Sequence, residues 1–244
     1  MQVGLQIRGM ARMQLNDYKR YLRRMEEAIA ARNAEIQAGI ELDTAGLEPP
    51  DPEYYVIRES WNPDRLDYSS KFPQFLHEGF FLSCWSWFES YIQTACIYID
   101  KHLEMPSGWD TGRQSILNKS RSYFKKIDLA NILRHPTWYE INHYSQIRNT
   151  ILHNRGYFIG KSDRSEAFVD YLVRKNIVPE KLSPGVIAII RHSKGQKEAN
   201  KRRVSEMKKL PVQIILTAHF CSEIIETYQD FFGIVGDESD KLVK

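Results

Sequence analysis

Residues 73–103, PQFLHEGFFLSCWSWFESYIQTACIYIDKHL, decide the fold. Proline opens the run, no second proline interrupts it, and apolar residues recur almost all round a 3.6-residue period. That pattern predicts one long central helix of an α-helical bundle. Pro106-Ser107-Gly108 supplies the stop. Between Phe80 and Ile99 the run is broken by Ser83, Ser86, Glu89, Ser90, Gln93 and Thr94. It therefore lacks the ~18 clean apolar residues of a membrane span.

On the N-terminal side, Leu15, Tyr18, Leu22, Met25, Ile29, Ile36 and Ile40 recur at helical spacings, with Lys19, Arg20, Arg23, Arg24, Glu26 and Glu27 on the other face. Residues 1–42 are expected to form one amphipathic helix, either a short coiled-coil arm or a helix laid on its own domain. The seam spans few heptads, which favours the second arrangement. Residues 43–72, with Glu48-Pro49-Pro50-Asp51-Pro52 and Trp61-Asn62-Pro63-Asp64, read as a proline-containing linker. A short strand over Tyr54–Arg58 is expected within it.

On the C-terminal side, helices are expected over Arg113–Ile127, from Pro136 to Asn154 and over Ser165–Lys175, with a further turn over Asp128–Leu133. Pro184 to Ile190 is β-branched enough for a strand. A closing helix is expected over Val212–Phe232, and residues 236–244, GDESDKLVK, form a polar tail expected to fray. Residues 73–235 are expected to form the main helical domain. The fold class expected is all-α, with at most a small β element.

The 244 residues are 42% hydrophobic and 27% charged, with a net charge of +3, so a folded core is expected and no polyanionic partner is demanded. Cys84, Cys96 and Cys221 are odd in number and contain no C-x-x-C pair, which argues against a zinc site or a disulfide scaffold. The first fifteen residues carry charges too early for a signal peptide. A cytoplasmic chain with reduced thiols, no metal and no membrane span is expected.

The chemically pointed segment lies in the helix after Pro136. Trp138, Ile141, Tyr144, Ile147, Ile151 and Leu152 define its apolar arc, and at about 100° per residue Arg148 falls inside that arc. A guanidinium cannot shed its charge, so burial requires a carboxylate, a subunit boundary or a phosphate. Asn149 and His153 are spaced i, i+4 and share a face. Together these residues offer a permanent cation, a neutral donor and acceptor, and a side-chain type that exchanges protons near neutral pH. Those are the parts needed to cleave RNA without a metal. The competing local reading is that His153, Asn154, Arg155 and Gly156 make an ordinary helix end, with cations on the negative pole of the dipole and a glycine cap.

The string Ile147-Arg148-Asn149-Thr150-Ile151-Leu152-His153-Asn154-Arg155-Gly156 resembles the R-x4-6-H motif of HEPN domains. There a polar residue, often Asn, follows the arginine and an apolar pair precedes the histidine. The long helix with Trp85, Phe88, Glu89 and Tyr91 is similar to the helix that partners the motif helix in that family, and the resemblance extends over roughly residues 72–235. It implies a metal-independent endoribonuclease of the toxin or antiviral-defence kind, built as a homodimer with its site at the twofold interface. Arg148 and His153 would be catalytic, Asn149 supportive, and the product would carry a 2′,3′-cyclic phosphate. An antitoxin or defence-system protein is an implied partner. The tyrosine that some members place two residues after the histidine is replaced by Arg155.

Glu89, a carboxylate on an apolar helix, is the expected partner of Arg148, either as an ion pair or as an anchor that orients it from behind. Arg155 and the run with Lys194, Lys197, Lys201, Arg202, Arg203, Lys208 and Lys209 are expected to follow an RNA backbone or else to form a solvated loop. The alternative to an enzyme is a non-catalytic HEPN-like scaffold that binds RNA or a protein and keeps Arg148 for structure.

Overall fold

The computed structural model describes residues 3–104, 109, 112–154, 157–158, 168, 171–177 and 212–242. It is an all-α bundle. In chain order its elements are α1 (Val3–Asp43), α2 (Pro52–Ser60), α3 (Asn62–Leu66), a π-helical turn (Asp67–Lys71), α4 (Phe72–His102), α5 (Ile116–Lys126), a 3-10 turn (Ala130–Arg134), α6 (Pro136–Asn154), β1 (Tyr157–Phe158), β2 (Val212–Gln213) and α7 (Ala218–Leu242). The two strands pair antiparallel, Tyr157 with Gln213 and Phe158 with Val212.

The core is an aromatic stack shared by α4, α6 and α7. Phe88 of α4 lies 4.7 Å, centroid to centroid, over Tyr228 of α7, and Tyr91 meets Phe232 edge-on at the same distance. Trp138 and Tyr144 of α6 reach Phe231 and Tyr228. Residues of rising number on α4 meet rising numbers on α7 and falling numbers on α6, so α6 runs against the other two. The interruptions in the α4 sequence find their use here. Ser83, Ser86, Ser90, Gln93 and Thr94 are all exposed, and form a solvent stripe on an otherwise buried helix.

Helix α1 packs on its own domain, antiparallel to α7. Its buried stripe includes Val3, Ile7, Ala11, Leu15 and Leu22, so the amphipathic pattern reaches twelve residues further back than Leu15. Polar contacts along the pair add to this packing. Asp240 of α7 accepts a hydrogen bond from the Gly4 amide at 2.8 Å, a carboxylate on the positive pole of α1. Lys19 pairs with Glu226 further along.

The expected strand over Tyr54–Arg58 is a helix. Asp51 is its N-cap, accepting from the Glu53 amide at 2.9 Å, with Pro52 in the first turn. The same Asp-Pro-Glu string that reads as turn chemistry is also a helix start. Pro63 likewise opens α3, and Pro73 lies just beyond the π turn, where the Phe72 amide bonds five residues back to Asp67. Proline has no amide to donate, and the extra residue of the π turn falls beside that gap. Residues 43–72 are thus largely helical and tied down: the Trp61 indole donates to Asp43 at 3.0 Å and its ring lies against Gly39.

The expected boundaries shift elsewhere as well. Helix α7 starts at Ala218 rather than Val212, and it continues through the expected tail to Leu242, because Val235 and Ser239 are buried. Helix α5 spans Ile116–Lys126 with Ser115 as N-cap. Phe168 and residues 171–174 are helical, within the span expected over Ser165–Lys175. The strand expected over Pro184–Ile190 lies outside the described residues. No helix among the described residues is long and apolar enough to cross a membrane.

Candidate functional site

Helix α6 begins at Pro136 and ends at Asn154, and its inner face buries Trp138, Ile141, Tyr144, Ile147, Thr150 and Ile151. Burial of that arc fixes the rotation of the helix, and so fixes where the motif residues point. Arg148 sits at the edge of the arc, half-buried, while Asn149 and His153 are exposed on the outer face. Leu152, expected in the apolar arc, is 48% exposed, because the arc is filled by Thr150 and Ile151 just before it.

The Arg148 guanidinium donates through Nη1 to the Asn149 side-chain oxygen at 3.0 Å. Among the described residues no carboxylate lies within ion-pair distance of it. Glu89 does not meet the expectation of an ion pair. It is half-buried on α4, and among the described residues no cation is paired with it. The Tyr228 hydroxyl is held well above its ordinary range, by burial first and by negative charge nearby, Glu89 included. Arg155, Lys194, Lys197, Lys201, Arg202 and Arg203 lie outside the described residues.

A titratable cluster on α6, around Glu140 and His143, is assembled by tertiary contacts. Glu140 accepts the Tyr171 hydroxyl at 2.7 Å, and Lys175 bridges Glu140 and Glu223 of α7, each at 3.5 Å. His143 stacks on the Tyr171 ring at 4.0 Å, with its Nδ1 buried and unpartnered among the described residues. Glu140, His143 and Tyr144 share one face of α6 by their spacing, a signal visible in the sequence. Their partners, however, are far off in the chain, Tyr171 and Lys175 on one side and Glu223 on the other. Burial holds the His143 imidazole below its ordinary value, against the opposing bond from Gln146. A lowered folded value means that stability is present above the free imidazole pKa of about 6.5 and is lost as pH falls through the folded value. His143→Phe keeps the stack and removes the titration. The urea midpoint of the parent is therefore expected to fall relative to the variant between about pH 7.5 and pH 5. Parallel midpoints across that window would refute a lowered His143 imidazole.

Other buried polar and thiol groups serve the packing of the bundle. Both ring nitrogens of His77 are engaged, Nδ1 donating to the Leu216 carbonyl at 3.0 Å and Nε2 lying 2.6 Å from Glu26. The three cysteines are buried, and burial pushes each thiol up, away from thiolate chemistry. A cavity of about 440 Å³ opens between α1 and the start of α7, lined by Lys19, Arg20, Arg23, Glu26, Ala218 and Ser222. Its cations are already paired, with Glu226, Asp17 and Glu27 respectively, which leaves little free charge for an anion. Among the described residues no cluster of three or more His, Cys, Asp or Glu side chains is placed to hold a metal ion. No protein-family model, no curated protein and no solved structure matches the chain.

Proposed function

We propose that the chain is a metal-independent endoribonuclease of the HEPN kind, with a site completed by a second copy across a twofold axis. The observation that carries this reading is Arg148, a half-buried cation whose hydrogen bond goes to Asn149 and which has no carboxylate partner among the described residues. A structural arginine in that position would be expected to carry a compensating acid. Without an acid, and on the same helix as the exposed His153, it is suited to an incoming phosphate.

The reaction can be built from those groups. His153 of one protomer takes the proton of a 2′-hydroxyl, and that oxygen attacks the adjacent phosphorus. The two Arg148 side chains neutralise the phosphorane oxygens. The 5′-oxygen departs with a proton from the second His153, leaving a 2′,3′-cyclic phosphate and a 5′-hydroxyl. One chain offers one such histidine, and a closed dimer offers two. The resemblance extends the proposal to a toxin or defence setting, in which a partner protein restrains the nuclease.

The test is incubation of the full chain with mixed RNA in excess chelator, beside His153→Ala and Arg148→Ala. Cleavage to cyclic-phosphate ends by the parent, lost in both variants, is the expected result. RNA left intact by a folded parent, or cut equally by the variants, overturns the proposal and favours the scaffold.

A further inference from the structure

Helix α5 carries a charge pattern that its own stability does not require. Between residues 113 and 134 stand Arg113, Lys119, Arg121, Lys125, Lys126 and Arg134, against the single acid Asp128. All but the half-buried Lys119 are exposed. Among the described residues none of the six has a carboxylate within ion-pair distance. Helix α1 is different: Arg20, Arg23 and Arg32 each have an acid within about one turn of the same helix.

The helix dipole explains only part of the pattern. Lys125 and Lys126 occupy the last turn, where cations are favoured. Arg113 and Lys119 flank the start of α5, where the dipole opposes them, and the first turn holds no acid. The opposite face is firmly anchored. Leu117, Tyr123 and Phe124 are buried, and the Tyr123 hydroxyl donates to Asp100 at 2.8 Å. The cations therefore stand on a rigid support. Arg121 and Lys125 lie one turn apart on the same face as Asn118 and Ser122, a spacing comparable with that of successive phosphates.

We infer that the solvent face of α5 is a phosphate-backbone platform for single-stranded RNA, an inference that rests on the ribonuclease reading for its choice of polyanion. A membrane-surface helix would mix apolar side chains among its cations. The outer positions 118, 121, 122, 125 and 126 carry none. The platform lies at the far end of α6 from His153. Phe124 meets Trp138, near the start of α6, at 6.3 Å, and the helix then rises about 22 Å from Trp138 to His153. Strands too short to cover that distance are bound by one end only.

Binding is measured on the full chain in a His153→Ala background, so that RNA survives, with a ~20-nucleotide unstructured strand. The test variant adds Arg121→Glu, Lys125→Glu and Lys126→Glu, all exposed, with melting temperature as the check on folding. The dissociation constant is expected to rise at least tenfold, and the slope of log affinity against log salt to fall by about two. Unchanged affinity and slope in a folded variant overturn the platform. So does a parent that binds phosphatidylserine vesicles and not RNA. The two proposals fail separately. A chain that binds RNA through α5 and cuts none keeps the platform and loses the nuclease. A chain whose charge-reversed form, with His153 intact, binds and cuts as the parent does keeps the nuclease and loses the platform.

Discussion

Cleavage of RNA is expected to fall by about 10²–10⁴-fold in His153→Ala, the range for loss of a positioned proton-transfer group, and by about 10²–10³-fold in Arg148→Ala. Stability should not track activity. His153 and Asn149 are exposed, and Arg148 has no ion pair to lose among the described residues. Truncation of each should change unfolding free energy by no more than about 0.5 kcal/mol. Arg148→Lys should not restore the rate, because an ammonium cannot present the planar pair of donors that a phosphorane accepts. A rate loss matched by a melting loss would identify Arg148 as structural.

The twofold site makes a further demand on the same variants. If each centre needs both copies of His153, a parent subunit paired with a His153→Ala subunit is dead. Mixing equal amounts and allowing exchange then leaves activity at about one quarter, the fraction of parent–parent dimers, rather than one half. Activity that stays at half would mean that each chain works alone, and the composite site would be abandoned.

The aromatic core was legible because α4 states its burial in every turn, and α6 announces its start at Pro136. The motif was legible as a string, but its surroundings were not. Helical spacing puts Arg148 inside the apolar arc, and the structure puts it at the edge, since an arc is a matter of which neighbours fill it. Thr150 is buried and Leu152 is not. The expected partnership of Glu89 with Arg148 depends on two helices meeting in a particular register, which no local pattern contains. Residues 51–64 are ambiguous for a different reason. Asp-Pro pairs serve both turns and helix starts, and tertiary packing chooses between them. Here the Trp61 ring docking on Gly39 gives α2 and α3 a surface to lie against. The segment after Gly236 reads as a tail because its polar composition hides two contacts, Asp237 and Asp240 with Arg8 of α1.

Those contacts frame the second large effect, which concerns stability. Helices α1 and α7 touch backbone to backbone where Gly4 meets Gly236. A Cβ on Gly4 would lie 2.0 Å from the Gly236 carbonyl oxygen, and one on Gly236 would lie 2.7 Å from the Gly4 oxygen and 2.8 Å from Arg8. The obstacles are mainly main chain, so relief requires moving one helix off the other. That movement would stretch the Gly4–Asp240 bond and loosen the packing of Val3 and Ile7. Overpacking of this kind costs about 1–3 kcal/mol, which outweighs the gain of up to about 1 kcal/mol from replacing glycine by alanine inside a helix. Gly236→Ala is expected to lower stability by about 2 kcal/mol, and Gly4→Ala, with the closer clash, by more. Gly9 and Gly233 lie on the same two helices with nothing within 4 Å of an added Cβ. Alanine there should raise stability by about 0.5–1 kcal/mol through propensity alone. Urea unfolding of the four single variants separates the causes. Opposite signs at the two pairs of sites mark a contact that only glycine permits, whereas a gain at all four would mean that α1 and α7 are not held at this distance.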